Sequence, residues 1–192
     1  MSQVAISGNA SGTGTLTIAA PNTNSNYTLT LPQNTGTFIT TSSTGQVIPR
    51  AALPTGSVLQ VVNATYATST SSTTSTYADT GLTATITPSS SSSKILVIVS
   101  QNGCRKQSND TYIGIRLLRA STTIFTPITA ASYTASAATN DIGSVSCEYL
   151  DSPATTSATT YKTQFNSGNN TATVFVQVGN DGSTMTLMEI SA

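Results

Sequence analysis

Histidine is absent from these 192 residues, and so is tryptophan. Without histidine there is no Ser-His-Asp or Cys-His nucleophile arrangement and no ordinary zinc site. Charge is scarce too. Seven basic and seven acidic side chains cancel, and charged residues make up 7% of the chain, against about 25% in a usual soluble domain. With no basic excess there is no electrostatic footprint for nucleic acid or for an anionic membrane surface. Cysteine occurs twice, at 104 and 147, too sparsely for a disulfide framework. Two reduced, partly buried thiols are expected, with a cross-strand disulfide left open if their strands prove adjacent. The longest apolar run, Ile95 to Val99, falls far short of the roughly 18 residues a spanning helix needs. The opening stretch MSQVAISGNA has neither the basic region nor the apolar core of a secretion signal, so synthesis and assembly in a cytosol are expected. Neither a Walker A nor a Rossmann glycine pattern is found.

What the chain does have is hydroxyls. Serine and threonine together supply roughly a third of it, far above ordinary usage. They keep a surface wet without charge, and threonine favours strands. Disorder fits the tract from Ala67 to Ser75 and part of the N-terminus, but not the rest, where Val, Ile, Leu, Tyr and Phe recur in short blocks.

Charge also divides the chain. Residues 1–49 contain no charged side chain, and the first is Arg50. Within this arm, TLTIA places Leu16 and Ile18 on one face, and YTLTLP places Tyr27, Leu29 and Leu31 on one face. A single hairpin cannot bury its apolar face alone. The arm is therefore expected to attach to another surface through backbone pairing, with Leu16, Ile18, Tyr27, Leu29, Leu31 and Phe38 as anchors. The proline-bearing stretch VIPRAALPTGSV reads as the linker to a second domain over residues 50–192.

That domain reads as nine short strands bounded by Gly, Pro, Asn, Asp or Ser: 57–66, 77–87, 94–101, 112–119, 122–126, 142–150, 159–165, 172–178 and 184–190. No segment keeps a helical period. The expected fold is all-β, an antiparallel sandwich of jelly-roll type with an extended, strand-forming N-terminal arm. KILVIVS, Lys94 to Ser100, is apolar on both faces and should be a central strand covered on both sides. The five serines before it, after Pro88, read as an exposed crossing between strands. In SVSCEYLD, Val145, Cys147 and Tyr149 share one face; if the core takes them, Glu148 faces outward.

Candidate chemistry is thin. Glu148 and Asp151 are the nearest acidic pair, and a glycosidase would need such a pair flanking the scissile bond; an exposed strand residue and a turn residue are the expected outcome. Asn-Asp-Gly at 180–182 reads as a hairpin turn rather than a calcium loop. CRKQSND, 104–110, reads as a solvated loop. No catalytic, cofactor-binding or metal residue is expected, and the chain is not expected to be an enzyme.

Four stretches in order, GLTATITPSSSSSKILVIVS, YIGIRLLRASTTIF, CEYLDSPATTSATTYKTQF and STMTLMEIS, resemble the tumour-necrosis-factor-like domains of tailed-phage virion proteins. The arm, GTLTIAAPNTNSNYTLTLPQNTGTF, resembles the segment that often precedes such domains. The resemblance implies a jelly roll that assembles as a homotrimer on a virus particle, partnered by a major capsid protein or another virion protein. A capsid decoration (cement) protein is the first expectation. A tail-fibre or receptor-binding protein is the alternative, for which a host-surface glycan would be the further partner. No partner of nucleic acid or membrane is implied. Tyr149, Tyr161 and Leu187 are the candidates for the trimer interface.

Overall fold

The computed structural model describes residues 11–13, 24, 26, 53–107, 110–169 and 172–192. The chain divides into two compact units, Met1–Gln46 and Val47–Ala192. The second is all-β. Its strands are β1 (Val58–Tyr66), β2 (Thr70–Ser72), β3 (Ala78–Ile86), β4 (Lys94–Gln107), β5 (Thr111–Arg119), β6 (Thr122–Thr134), β7 (Asn140–Asp151), β8 (Thr159–Ser167), β9 (Thr173–Val176) and β10 (Ser183–Ile190).

They form two antiparallel sheets packed as a β-sandwich. The smaller has the order β3-β8-β5-β6; the larger runs β1-β10-β4-β9-β2, with β7 on the other side of β4. Thr, Ile and Val recur through these strands because β-branched side chains fit a pleated, half-buried surface. Along β8 the alternation is strict: Thr159, Tyr161, Thr163, Phe165 and Ser167 point inward.

Two strand expectations need correction. Ala67 to Ser75, read as disordered, contributes β2, which pairs with β9 from Thr70↔Val176 to Ser72↔Val174. Backbone hydrogen bonds to a neighbouring strand can order a tract that has little apolar surface of its own. Nor is Asn180 to Gly182 a hairpin turn. β9 and β10 both lie antiparallel against one side of β4, so they form one long strand interrupted by a short 3₁₀ turn, Val178–Asn180.

Opposite that interruption β4 carries a bulge at Gly103, whose φ is +59. A Cβ there would lie 2.4 Å from the backbone nitrogen of Val178, so only glycine fits the close approach. One extra residue reverses the inward alternation. Ile95, Val97, Val99 and Gln101 face the core before the bulge; Cys104 and Lys106 face it afterwards. The loop expected over CRKQSND is therefore mostly strand. Lys106 is fully buried, and its ammonium donates to the carbonyls of Thr134 (3.0 Å) and Ser136 (3.1 Å) and to the Thr134 hydroxyl. A buried ammonium is tolerable only when its donors are satisfied in this way.

The core has two apolar clusters. One gathers Leu82, Ile86, Ile95, Val97, Leu117, Tyr161 and Leu187; the other gathers Ile113, Ile115, Phe165, Val174 and Val176. At the interruption sits a buried polar belt. Thr163 donates to Gln101 (2.9 Å), Gln101 donates to Ser183 (3.0 Å), and Gln177 also donates to Ser183 (3.1 Å). Thr80 and Thr163 share a 2.6 Å hydroxyl contact. Buried polar groups linked in this manner fix strand register, because any slip would strand them without partners.

Candidate functional site

The serine crossing before β4 does more than bridge strands. Glu189, on β10, is fully buried. Its carboxylate accepts from the Ser89 amide (2.7 Å), the Ser89 hydroxyl (2.5 Å) and the Gln60 side-chain amide (2.5 Å). Burial pushes the carboxyl up, but these hydrogen bonds outweigh it and bring the pKa down to about 2. Serines at this turn supply donors that a shorter apolar link would lack.

Glu148 and Asp151 do not form a pair. Glu148 is exposed and Asp151 is buried, because three residues apart on a strand means opposite faces. Asp151 accepts two 2.8 Å bonds from Arg119 and a 2.7 Å bond from the Tyr161 hydroxyl. The carboxylate ties β7 of one sheet to β5 and β8 of the other. Burial and this hydrogen bond both push the Tyr161 hydroxyl pKa up.

Both cysteines are free. Their strands are adjacent, but Cys147 lies opposite Val99 and Cys104 opposite Gly143, a stagger that no disulfide spans. Burial raises the Cys104 thiol to about 12; burial, then the Glu148 carboxylate, raises Cys147 to about 11.

The candidates for the trimer interface are placed elsewhere. Tyr161 and Leu187 are fully buried inside the protomer, so neither offers surface to a partner. Tyr149 packs against the core and stacks on Phe125 at 5.3 Å between ring centroids. The arm anchors Leu16, Ile18, Tyr27, Leu29, Leu31 and Phe38 lie outside the described residues.

The apolar surface instead lies on the outer face of the larger sheet. Register sets Val61 opposite Met188, Met188 opposite Leu96, and Leu96 opposite Leu150. This is one continuous apolar row across β1, β10, β4 and β7. Val61 is 55% exposed and Leu150 is 51% exposed, so the row is open at both ends. Ile98 sits beside it in the next row, between Thr186 and Glu148. β4 is thus central, as expected, but its second face is only half-buried. This row was legible in KILVIVS as a second apolar face; what the sequence did not show is that four strands align it. Among the described residues no group of three or more His, Cys, Asp or Glu side chains could hold a metal ion. No helix among them is long and apolar enough to cross a membrane. No protein-family model matches the chain, and no curated protein matches it.

Proposed function

We propose that this chain is a structural protein of a tailed-phage virion, a homotrimer that decorates the capsid surface, seated by its uncharged arm with the sandwich projecting outward. Strand order supports the jelly-roll part of this reading. Leaving out the short β2 and β9, the strands run first-eighth-third-sixth in one sheet and second-seventh-fourth-fifth in the other. That order results when one long antiparallel hairpin is rolled up into two Greek keys. It is the fold implied by the resemblance to tumour-necrosis-factor-like phage domains.

The observation that carries the assembly is the apolar row Val61–Met188–Leu96–Leu150. Covering it with symmetric copies removes apolar area from water, at about 25 cal/mol per Å². Little charge opposes such contact, since Lys94 and Glu148 are the charged side chains on that part of β4 and β7. Closed cyclic symmetry gives each copy the same contact, and three is the number the resemblance implies.

Light scattering on the intact protein at micromolar concentration tests this. The expected mass is three times that of one chain, and a Val61→Glu/Leu150→Glu double variant should run as a folded monomer. A stable wild-type monomer overturns the assembly. A low-resolution map of the particle with this chain labelled separates the capsid shell from the alternative position on a tail fibre.

A further inference from the structure

At the other end of the same outer face, past the bulge, lies an open cleft of roughly 330 Å³, within the range of small-molecule sites. The bulge of β4 contributes Gly103 and Arg105, the start of β7 contributes Asp141 and Gly143, and the 3₁₀ turn with its exit contributes Gly179 and Asp181. A Cβ built at Gly143 or Gly179 would meet nothing within 4 Å, so backbone groups border the cleft with open space in front of them. Leu96 and Arg105 are separated along β4 by roughly 25–30 Å at about 3.3 Å per residue. The cleft and the apolar row are therefore separate surfaces.

Its polar groups are already oriented. The Arg105 guanidinium grips the Asp141 carboxylate two-pronged, through Nε to Oδ1 and through Nη2 to Oδ2 at 3.3 Å. Such a fork holds both partners in one plane. Asp181 adds a second carboxylate at the rim. Next to Arg105 in the register stands Phe175, facing outward because Val174 and Val176 fill the core. Phe175, Arg105 and Asp141 thus form a row across β9, β4 and β7; Arg105 and Asp141 line the cleft, and Phe175 flanks it one strand away.

The chemistry narrows the ligand. One guanidinium and two carboxylates leave a net negative charge, which disfavours an anion. The guanidinium next to the carboxylates repels a bound cation. Carboxylates that accept beside a guanidinium that donates match adjacent hydroxyls, each of which does both. The aromatic face alongside suits the apolar C–H face of a pyranose ring. We propose that this cleft binds a neutral sugar residue of a glycan, with Asp141, Arg105 and Asp181 bonding its hydroxyls and Phe175 stacking on its ring.

The proposal goes beyond the assembly described above and does not depend on it. The test is saturation-transfer NMR on the full chain with the methyl glycosides of glucose, galactose, N-acetylglucosamine and rhamnose, plus a separate titration with calcium chloride. At least one glycoside should receive saturation, strongest at its ring C–H protons. Phe175→Ala, which removes the ring stack, and Asp181→Asn, which removes a charge-assisted hydrogen bond, should each weaken that binding about tenfold, while Glu148→Gln leaves it unchanged. Asp181→Asn leaves the Arg105–Asp141 pair intact, so a loss there is not a folding defect. Silence from all four glycosides overturns the proposal, as does a signal indifferent to both substitutions. Calcium binding at the cleft without sugar binding overturns it in favour of a cation site. Because light scattering reads the oligomer separately, failure here and failure of the trimer are distinguishable.

Discussion

Glu189 makes the most exacting test of how this sandwich is held together. Its carboxyl drops from an ordinary 4.5 to about 2, because the Ser89 amide, the Ser89 hydroxyl and the Gln60 amide all donate to the ionised form. A carboxyl with a depressed folded-state pKa stabilises the fold above its unfolded pKa and loses that contribution as pH falls through the folded value. The window is therefore pH 4.5 down to about 2. At about 1.4 kcal/mol per unit the full shift is worth about 3 kcal/mol. Ser89 and Gln60 themselves reach solvent, and screening there trims the figure to about 1–2 kcal/mol. Urea midpoints should be measured at intervals across that window for the wild type and for Glu189→Gln. The wild type should lose about 1–2 kcal/mol more than the variant between the two ends of the window. Exposed carboxylates titrate equally in both proteins and cancel in the difference. Parallel curves, with a constant offset at every pH, would refute the reasoning and leave the serine turn a mere crossing.

Three further outcomes follow from the same structure. Gly103→Ala should destabilise the domain by about 2–3 kcal/mol in chemical denaturation, since it adds left-handed strain to a backbone clash at Val178; a change under 0.5 kcal/mol would mean the bulge can shift. Lys106→Met should cost about 2–3 kcal/mol by leaving the Thr134 and Ser136 carbonyls without a donor, and proteolysis should speed up in the 135–139 turn; unchanged stability and cleavage would count against the clamp. Asp151→Asn should cost about 2–3 kcal/mol through loss of charge opposite Arg119 and Tyr161, whereas exposed Glu148→Gln stays within about 0.5 kcal/mol by thermal melting. Equal effects from the two would refute the role of Asp151 in tying the sheets together.

The local alternation of apolar and polar residues was enough to locate the main strands and to group Val145, Cys147 and Tyr149 on one face; the structure turns that face inward and Glu148 outward. That is because a strand half-covered by a core must repeat with a period of two. The same pattern is ambiguous where both faces carry apolar side chains. In STMTLMEIS, Met185 and Leu187 are buried while Met188 and Ile190 lie outward, and nothing in the strand itself says which pair the core takes. The interface expected at Leu187 would need its face of β10 to lie outward, and the structure turns that face inward. Packing between sheets decided it, since only the set facing the other sheet is sealed from water.

Tertiary structure alone decided what depends on distant segments meeting. The bulge at Gly103 sits directly against the turn after β9, and that single extra residue turns Lys106 inward and Arg105 outward. No local pattern announces a reversal whose packing partners lie more than seventy residues away, as do Gln177 and Val178. The clasp of Ser89 on Glu189 spans 100 residues, and the row Val61–Met188–Leu96–Leu150 draws one side chain from each of four strands. Composition and periodicity determine which segments become strands. Register, which sets these side chains beside one another, is fixed only when hydrogen-bonded ladders and the two sheets close together.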